Sequence, residues 1–73
     1  MIIYIKIKPN CSFERLEKFS SDRYLIYIKK SLDDLELEEE LKSILSKHFG
    51  VPPKNIEISW GRTESERVVE LSS

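Results

Sequence analysis

Residues 33–53 read DDLELEEELKSILSKHFGVPP, and this stretch carries the clearest helix signal of the chain. Gly50 is suited to the left-handed conformation that ends many helices, and Pro52-Pro53 prevents the helix from continuing. The sequence therefore predicts one main helix over residues 35–49. Its predicted inner stripe recurs at three- and four-residue spacing and consists of Leu37, Leu41, Ile44, Leu45, His48 and Phe49.

The start of this helix is rich in carboxylates, and its end carries cations. Asp33, with Glu36 three residues further on, is predicted to form a capping pair. Acidic residues near the first turn and basic residues near the last turn both suit the helix dipole. The carboxylates are therefore interpreted as a solvated helix start and not as a catalytic acid and base.

Strands are predicted on both sides of the helix, over residues 2–8, 23–29, 55–60 and 67–71. Their residues alternate between apolar and polar, the pattern of a half-buried strand. In the first strand Ile3, Ile5 and Ile7 share one face. The segment 12–22 has apolar residues at nearly helical spacing, which favours a single helical turn there.

Composition restricts the class of protein. The chain has 73 residues, 12 Lys and Arg against 13 Asp and Glu, and one cysteine. We expect a single domain over residues 1–73, a reducing cytoplasmic setting, no signal peptide and no membrane span. A net charge of −1 argues against a dedicated nucleic-acid binder, since such modules usually carry basic excess. Cys11 and His48 are too few soft ligands for a zinc site, and no metal or cofactor is expected.

Several short motifs are similar in order and spacing to those of the YggU-like family of small uncharacterised proteins. They are Ile5-Lys6-Ile7-Lys8-Pro9-Asn10, Phe49-Gly50-Val51-Pro52, Ile56-Glu57-Ile58, Gly61-x-Thr63 and Arg67. The resemblance implies an α+β fold of two layers, in which a small mixed sheet of about four strands is covered on one face by the helix. It also implies that Tyr24, Ile26 and Ile28 point inward, a choice that alternation alone leaves open.

The chain departs from this family at its most characteristic surface motif. Where the family has Gly-Lys-Ala-Asn entering the helix, this chain has Leu35-Glu36-Leu37-Glu38. Glu64-Ser65 and Trp60 also replace family residues around the last hairpin. An activity that depends on that basic surface is therefore not transferred to this chain.

The outward face of the predicted sheet is the first candidate site. Tyrosines beside lysines can stack bases and hold phosphates. The alternative is that these side chains only form stabilising cross-strand pairs, with acids on the last two strands facing bases on the first two. The candidate nucleic-acid residues are Tyr4, Lys6, Tyr27 and Lys29.

Two further clusters are considered. Lys8, Asn10, Arg62, Thr63 and Arg67 could bind a small anion, or could simply be turn and solvent-exposed residues. Cys11 has no nearby histidine to activate it, and no catalytic residue is predicted.

Exposed apolar side chains would indicate a protein contact, although they could also seal the small core. The candidates are Leu32, Leu35 and Trp60.

The expected function is that of a non-catalytic protein-interaction module whose partner is another protein or a second copy. The first alternative is weak binding of RNA or single-stranded nucleic acid by the Tyr/Lys face. The second is an accessory or cryptic enzyme that binds a small anion near Lys8 and Arg67. No membrane or metal partner is expected.

Overall fold

The computed structural model describes residues 1–72, within which five strands, one α-helix and one short 3-10 helix occur. These elements confirm the predicted α+β class. In chain order they are β1 (Ile2–Lys8), β2 (Arg15–Lys18), β3 (Arg23–Tyr27), α1 (Leu37–Phe49), the 3-10 turn Pro53–Asn55, β4 (Ile56–Trp60) and β5 (Glu66–Leu71).

The strands form one mixed sheet in the order β2-β3-β1-β5-β4. The central strand β1 is parallel to β3 and antiparallel to β5. Two antiparallel pairs, β2 with β3 and β4 with β5, complete the sheet on either side. The first strand of the chain thus joins two hairpins that are distant in sequence.

One face of the sheet packs against α1 and forms the core. Residues 3, 5 and 7 of β1 are fully buried isoleucines, and they share this face with Tyr24 and Ile26 of β3. Burial of each such side chain is worth about 1.5–3 kcal/mol. The inward face that the family resemblance implied for β3 is therefore confirmed. From α1, the buried side chains are Leu37, Leu41 and Leu45.

The helix begins two residues later than predicted, and its start differs from the predicted capping pair. Glu36 precedes α1 and makes no side-chain capping bond. Asp33 instead accepts a hydrogen bond from the Ser31 hydroxyl at 2.6 Å, which lowers the pKa of Asp33. Asp34 accepts from the Glu36 N–H at 2.8 Å. The prediction of capping by Asp33 is wrong because these local turns occupy the carboxylates first.

The end of α1 is as predicted. Gly50 has φ of 70° and donates its N–H to the Ser46 carbonyl at 2.9 Å. A left-handed residue at this point suits glycine and closes the last helical turn.

The prediction of a helical turn in segment 12–22 is wrong, because this segment contains a strand. Arg15–Lys18 pairs antiparallel with β3, and Leu16 packs against the core opposite Ile26. Without this pairing β3 would be an unprotected sheet edge. The sheet therefore has five strands and not about four. The predicted bounds of β3 are also wrong at the end of the strand. β3 ends at Tyr27, two residues earlier than predicted, because the chain turns away towards α1.

Candidate interaction surface

The face of the sheet that points away from α1 is called the open face here. It is built by alternation: the isoleucines at positions 3, 5 and 7 point to the helix, so Tyr4 and Lys6 point outward. Strand register places Tyr4 between Val68 and Arg23.

The middle of the open face is apolar and exposed. Ile2 is 50% exposed and Tyr4 is 42% exposed, although both lie on the central strand. Half-buried Val68 lies directly beside Tyr4 on β5. On the other side, the Arg23 guanidinium lies 5.6 Å from the Tyr4 ring centroid. A central apolar strip on an uncovered sheet face is a feature of contact surfaces.

Charge on the open face is divided at the boundary between β1 and β5. On the acidic half, formed by β5 and β4, the register places three carboxylates and no cation; they are Glu57, Glu66 and Glu70. On the basic half, formed by β1, β3 and β2, it places four cations and one carboxylate; they are Lys6, Lys8, Arg15, Arg23 and Glu17.

Glu17 is already engaged within the basic half. Its carboxylate lies 3.1 Å from Arg15 Nε and accepts a hydrogen bond from the Tyr27 hydroxyl at 3.2 Å. Partial burial, together with the Glu17 charge, raises the pKa of Tyr27. Lys6, Lys8 and Arg23 remain as the cations of this half that make no ion pair among residues 1–72.

A concavity of about 740 Å³ connects the two halves. It is lined by residues 4–6 of β1, 23–25 of β3 and 66–68 of β5, together with Phe19 and residues 60–62. Phe19 is 73% exposed at the turn between β2 and β3. The open face is therefore indented and has aromatic side chains at its borders.

Three of the four candidate nucleic-acid residues lie on the open face. Tyr4, Lys6 and Tyr27 share the open face, as expected. Lys29 is exposed but follows the end of β3, so it lies outside the sheet.

The candidate anion cluster is divided between the two faces. Lys8 is exposed on the open face, whereas Arg67 is only 3% exposed and points to the side of α1. Arg62 and Thr63 lie in the hairpin loop before Arg67, where the Thr63 hydroxyl donates to Glu66 Oε1 at 3.1 Å. Asn10 forms a turn with φ of 59° and donates its N–H to the Lys30 carbonyl at 3.0 Å.

Arg67 is engaged by its own hairpin. Its Nη1 donates to the Glu64 carbonyl at 2.7 Å and to the Glu66 carbonyl at 2.8 Å. Its guanidinium carbon lies 3.9 Å from the Trp60 ring centroid. Burial lowers the pKa of Arg67, while Glu38 on α1 partly opposes this effect. Arg67 thus serves as a clamp on the turn between β4 and β5.

The candidate protein-contact residues differ in their exposure to solvent. Leu32 is half-buried and packs against the core, so it seals the fold. Leu35 is fully exposed, and Trp60 is 66% exposed.

Sequence reasoning missed several members of the open face. Arg15 and Glu17 were missed because β2 was interpreted as a helical turn. Glu66 was missed because β5 begins one residue before the predicted strand. The alternation of residues 15–18 was the signal that could have revealed β2.

Over residues 1–72, no three His, Cys, Asp or Glu side chains are grouped so as to hold a metal ion. The Cys11 thiol donates to the Lys8 carbonyl at 3.3 Å. Within the same residues, no helix is long and apolar enough to cross a membrane.

Fold and surface together define a small α+β protein whose mixed sheet has one helix-covered face and one open face. No protein-family model matches the chain. The similarity to the YggU-like family therefore stays a prediction from the motifs.

Proposed function

We propose that this protein is a non-catalytic interaction module of the cytoplasm that binds a protein partner through its open face. The observation that carries the proposal is the exposed apolar strip of Ile2, Tyr4 and Val68 on a sheet face without a covering helix. Removing such a strip from water is the main favourable term in protein association.

The charges of the open face favour a protein partner over a nucleic acid. A phosphate backbone would be attracted by Lys6 and Lys8 but repelled by Glu66 and Glu70 on the neighbouring strand. A protein surface can present both signs of charge, and complementary charges then set the orientation of binding.

The contacts of Arg67 favour a structural role over an enzymatic one. An anion clamp needs free and accessible guanidinium donors, but Nη1 of Arg67 already donates to two main-chain carbonyls. Its Nε has no hydrogen-bond partner among residues 1–72 but is buried, so it is not open to a ligand from solvent. Lys8, its suggested companion, lies on the other face of the sheet. The cytoplasmic part of the proposal is supported by the free thiol of Cys11.

The proposal is tested by affinity capture from a nuclease-treated extract, with mass-spectrometric identification. The variant Ile2→Ser/Tyr4→Ser removes the exposed residues of the apolar strip, and Leu35→Ser is the matched control, since it removes a fully exposed apolar side chain outside the sheet. We expect a stoichiometric protein that is retained by the native chain and by the control but not by the open-face variant. Equal retention by all three, or loss only with Leu35→Ser, would overturn the proposal.

A further inference from the structure

We propose that the open face binds a second copy of itself, forming a twofold-symmetric dimer in which the basic half of each chain covers the acidic half of the other. This inference rests on the proposed function and specifies its partner.

The two halves of the open face carry opposite charge. The acidic half has three carboxylates and no cation, and the basic half has four cations against one carboxylate. A surface divided in this way is complementary to itself after rotation. Two open faces can meet about a twofold axis that lies in the plane between them, perpendicular to the direction from the acidic half to the basic half. That direction is then reversed in the second copy. Lysines of one chain then face glutamates of the other, as an isologous interface requires.

The apolar residues are in the right place for such an axis. The axis lies at the boundary between β1 and β5, and it places β1 of each chain over β5 of the other. Register then sets Tyr4 of one chain opposite Val68 of the other, an apolar pair near the axis. It also sets Lys6 opposite Glu66, whereas an axis along β1 itself would bring Lys6 against its own counterpart. Charges then surround an apolar centre, which is the usual anatomy of a protein interface.

The size of the sheet sets the strength of the dimer. Five strands about 4.8 Å apart, with a central strand of seven residues, span roughly 20 by 23 Å. This face is smaller than the roughly 800 Å² that each partner buries in a standard stable interface. The dimer is therefore reversible, and its rim charges make it sensitive to salt.

The experiment uses two variants with opposite charge. Glu57→Lys/Glu70→Lys makes the open face predominantly basic, and Lys6→Glu/Lys8→Glu makes it predominantly acidic. Sedimentation equilibrium of the full chain measures the dimer dissociation constant at about 0.1 M and about 1 M salt, where the screening length falls from about 10 Å to about 3 Å. Matched controls reverse charges on or beside α1, away from the sheet, with Glu36→Lys/Glu39→Lys and Lys42→Glu/Lys47→Glu. Thermal melting of each variant verifies that it is folded.

We expect the native chain and both controls to dimerise at the lower salt and to weaken by about tenfold or more at the higher salt. Each open-face variant alone should remain monomeric, and an equimolar mixture of the two should recover a one-to-one complex. A destabilised variant would not produce that recovery.

Other outcomes separate the two proposals. A native chain that stays monomeric, while capture of another protein still depends on Ile2 and Tyr4, overturns the dimer and leaves the interaction module intact. Dimerisation unaffected by either open-face variant overturns the inference. Titration with single-stranded RNA is the third arm: binding lost with added salt and with Lys6→Glu/Lys8→Glu, but no dimer, would assign the face to nucleic acid instead.

Discussion

The guanidinium of Arg67 lies over the ring of Trp60, with 3.9 Å between its central carbon and the ring centroid, and its Nη1 donates to two carbonyls of the adjoining turn. The two residues are direct partners on β5 and β4. The buried arginine is thus compensated in part, by a ring face and by main-chain oxygens, while its Nε has no hydrogen-bond partner among residues 1–72. This arrangement fixes the hairpin whose strands supply the acidic half of the open face.

Arg67→Lys should therefore destabilise the protein although the charge is retained. Lysine has a single ammonium group and no planar face, so it cannot make the stacking contact and both carbonyl bonds in the same geometry. We expect a loss of about 1–3 kcal/mol in the free energy of unfolding. Urea denaturation followed by the fluorescence of the single tryptophan, Trp60, measures it.

Arg62→Lys is the matched control, because Arg62 is exposed in the same hairpin loop. Its effect should stay within about 0.5 kcal/mol. Equal losses from the two substitutions would show that Arg67 is not a clamp.

Leu41→Ala should be strongly destabilising. Leu41 is fully buried between α1 and the sheet, and such truncations cost about 2–5 kcal/mol, which approaches the whole stability of a small domain. Leu35→Ala provides the contrast, since Leu35 is fully exposed and should change the midpoint of denaturation very little. Should Leu35→Ala cost as much, the observed helix start and packing would be incorrect. Ile7→Val should lower the free energy of unfolding by about 0.5–1.5 kcal/mol, so it can replace Leu41→Ala in the comparison if that variant fails to fold.

The two glycines should respond differently to alanine. A Cβ at Gly61 would lie 2.7 Å from the Glu66 Cβ and 2.9 Å from the Glu66 carbonyl carbon, so the hairpin would have to shift. A Cβ at Gly50 meets nothing within 4 Å, and its cost is the left-handed backbone alone, about 1–2 kcal/mol. We expect Gly61→Ala to lower the melting temperature more than Gly50→Ala does. The opposite order would contradict the close approach at the β4–β5 turn.

A carboxylate pair should make stability depend on pH. Glu40 on α1 lies beside Glu14, and a hydrogen bond from the protonated Glu40 carboxyl to Glu14, with burial and charge repulsion adding to it, raises the pKa of Glu40 above its ordinary value of 4.5. A carboxyl with a raised pKa in the folded state stabilises the fold while protonated. This contribution is complete below pH 4.5 and is lost as pH rises through the folded-state pKa.

Glu40→Gln should remove this dependence, because the amide can still donate to Glu14 and does not ionise. We expect the variant to be more stable than the native chain at pH 7 and to lose this advantage in acid. Glu39→Gln, on the exposed side of the same helix turn, is the control. Parallel curves of unfolding free energy against pH for native chain and Glu40→Gln would contradict the pairing.

The elements that could be predicted were those with strong local periodicity. The isoleucines of β1 alternate over seven residues, and the stripe of α1 ends at a glycine followed by two prolines. The four residues of β2 are too few for alternation to outweigh the nearly helical spacing of Phe13, Leu16 and Phe19. Their strand conformation follows from the free edge of β3, which local sequence does not describe.

Side-chain periodicity and backbone preference within a few residues already define the apolar face of β1 and the residue at which α1 ends. Which strands are neighbours is visible only in the tertiary structure. It places β1, which carries Tyr4 and two lysines, between the arginine-bearing β3 on one side and the glutamate-bearing β5 on the other. Pairing between distant segments depends on the combined packing of the whole sheet against α1. The division of charge on the open face is therefore a property of the fold, although every charge in it is visible in the sequence.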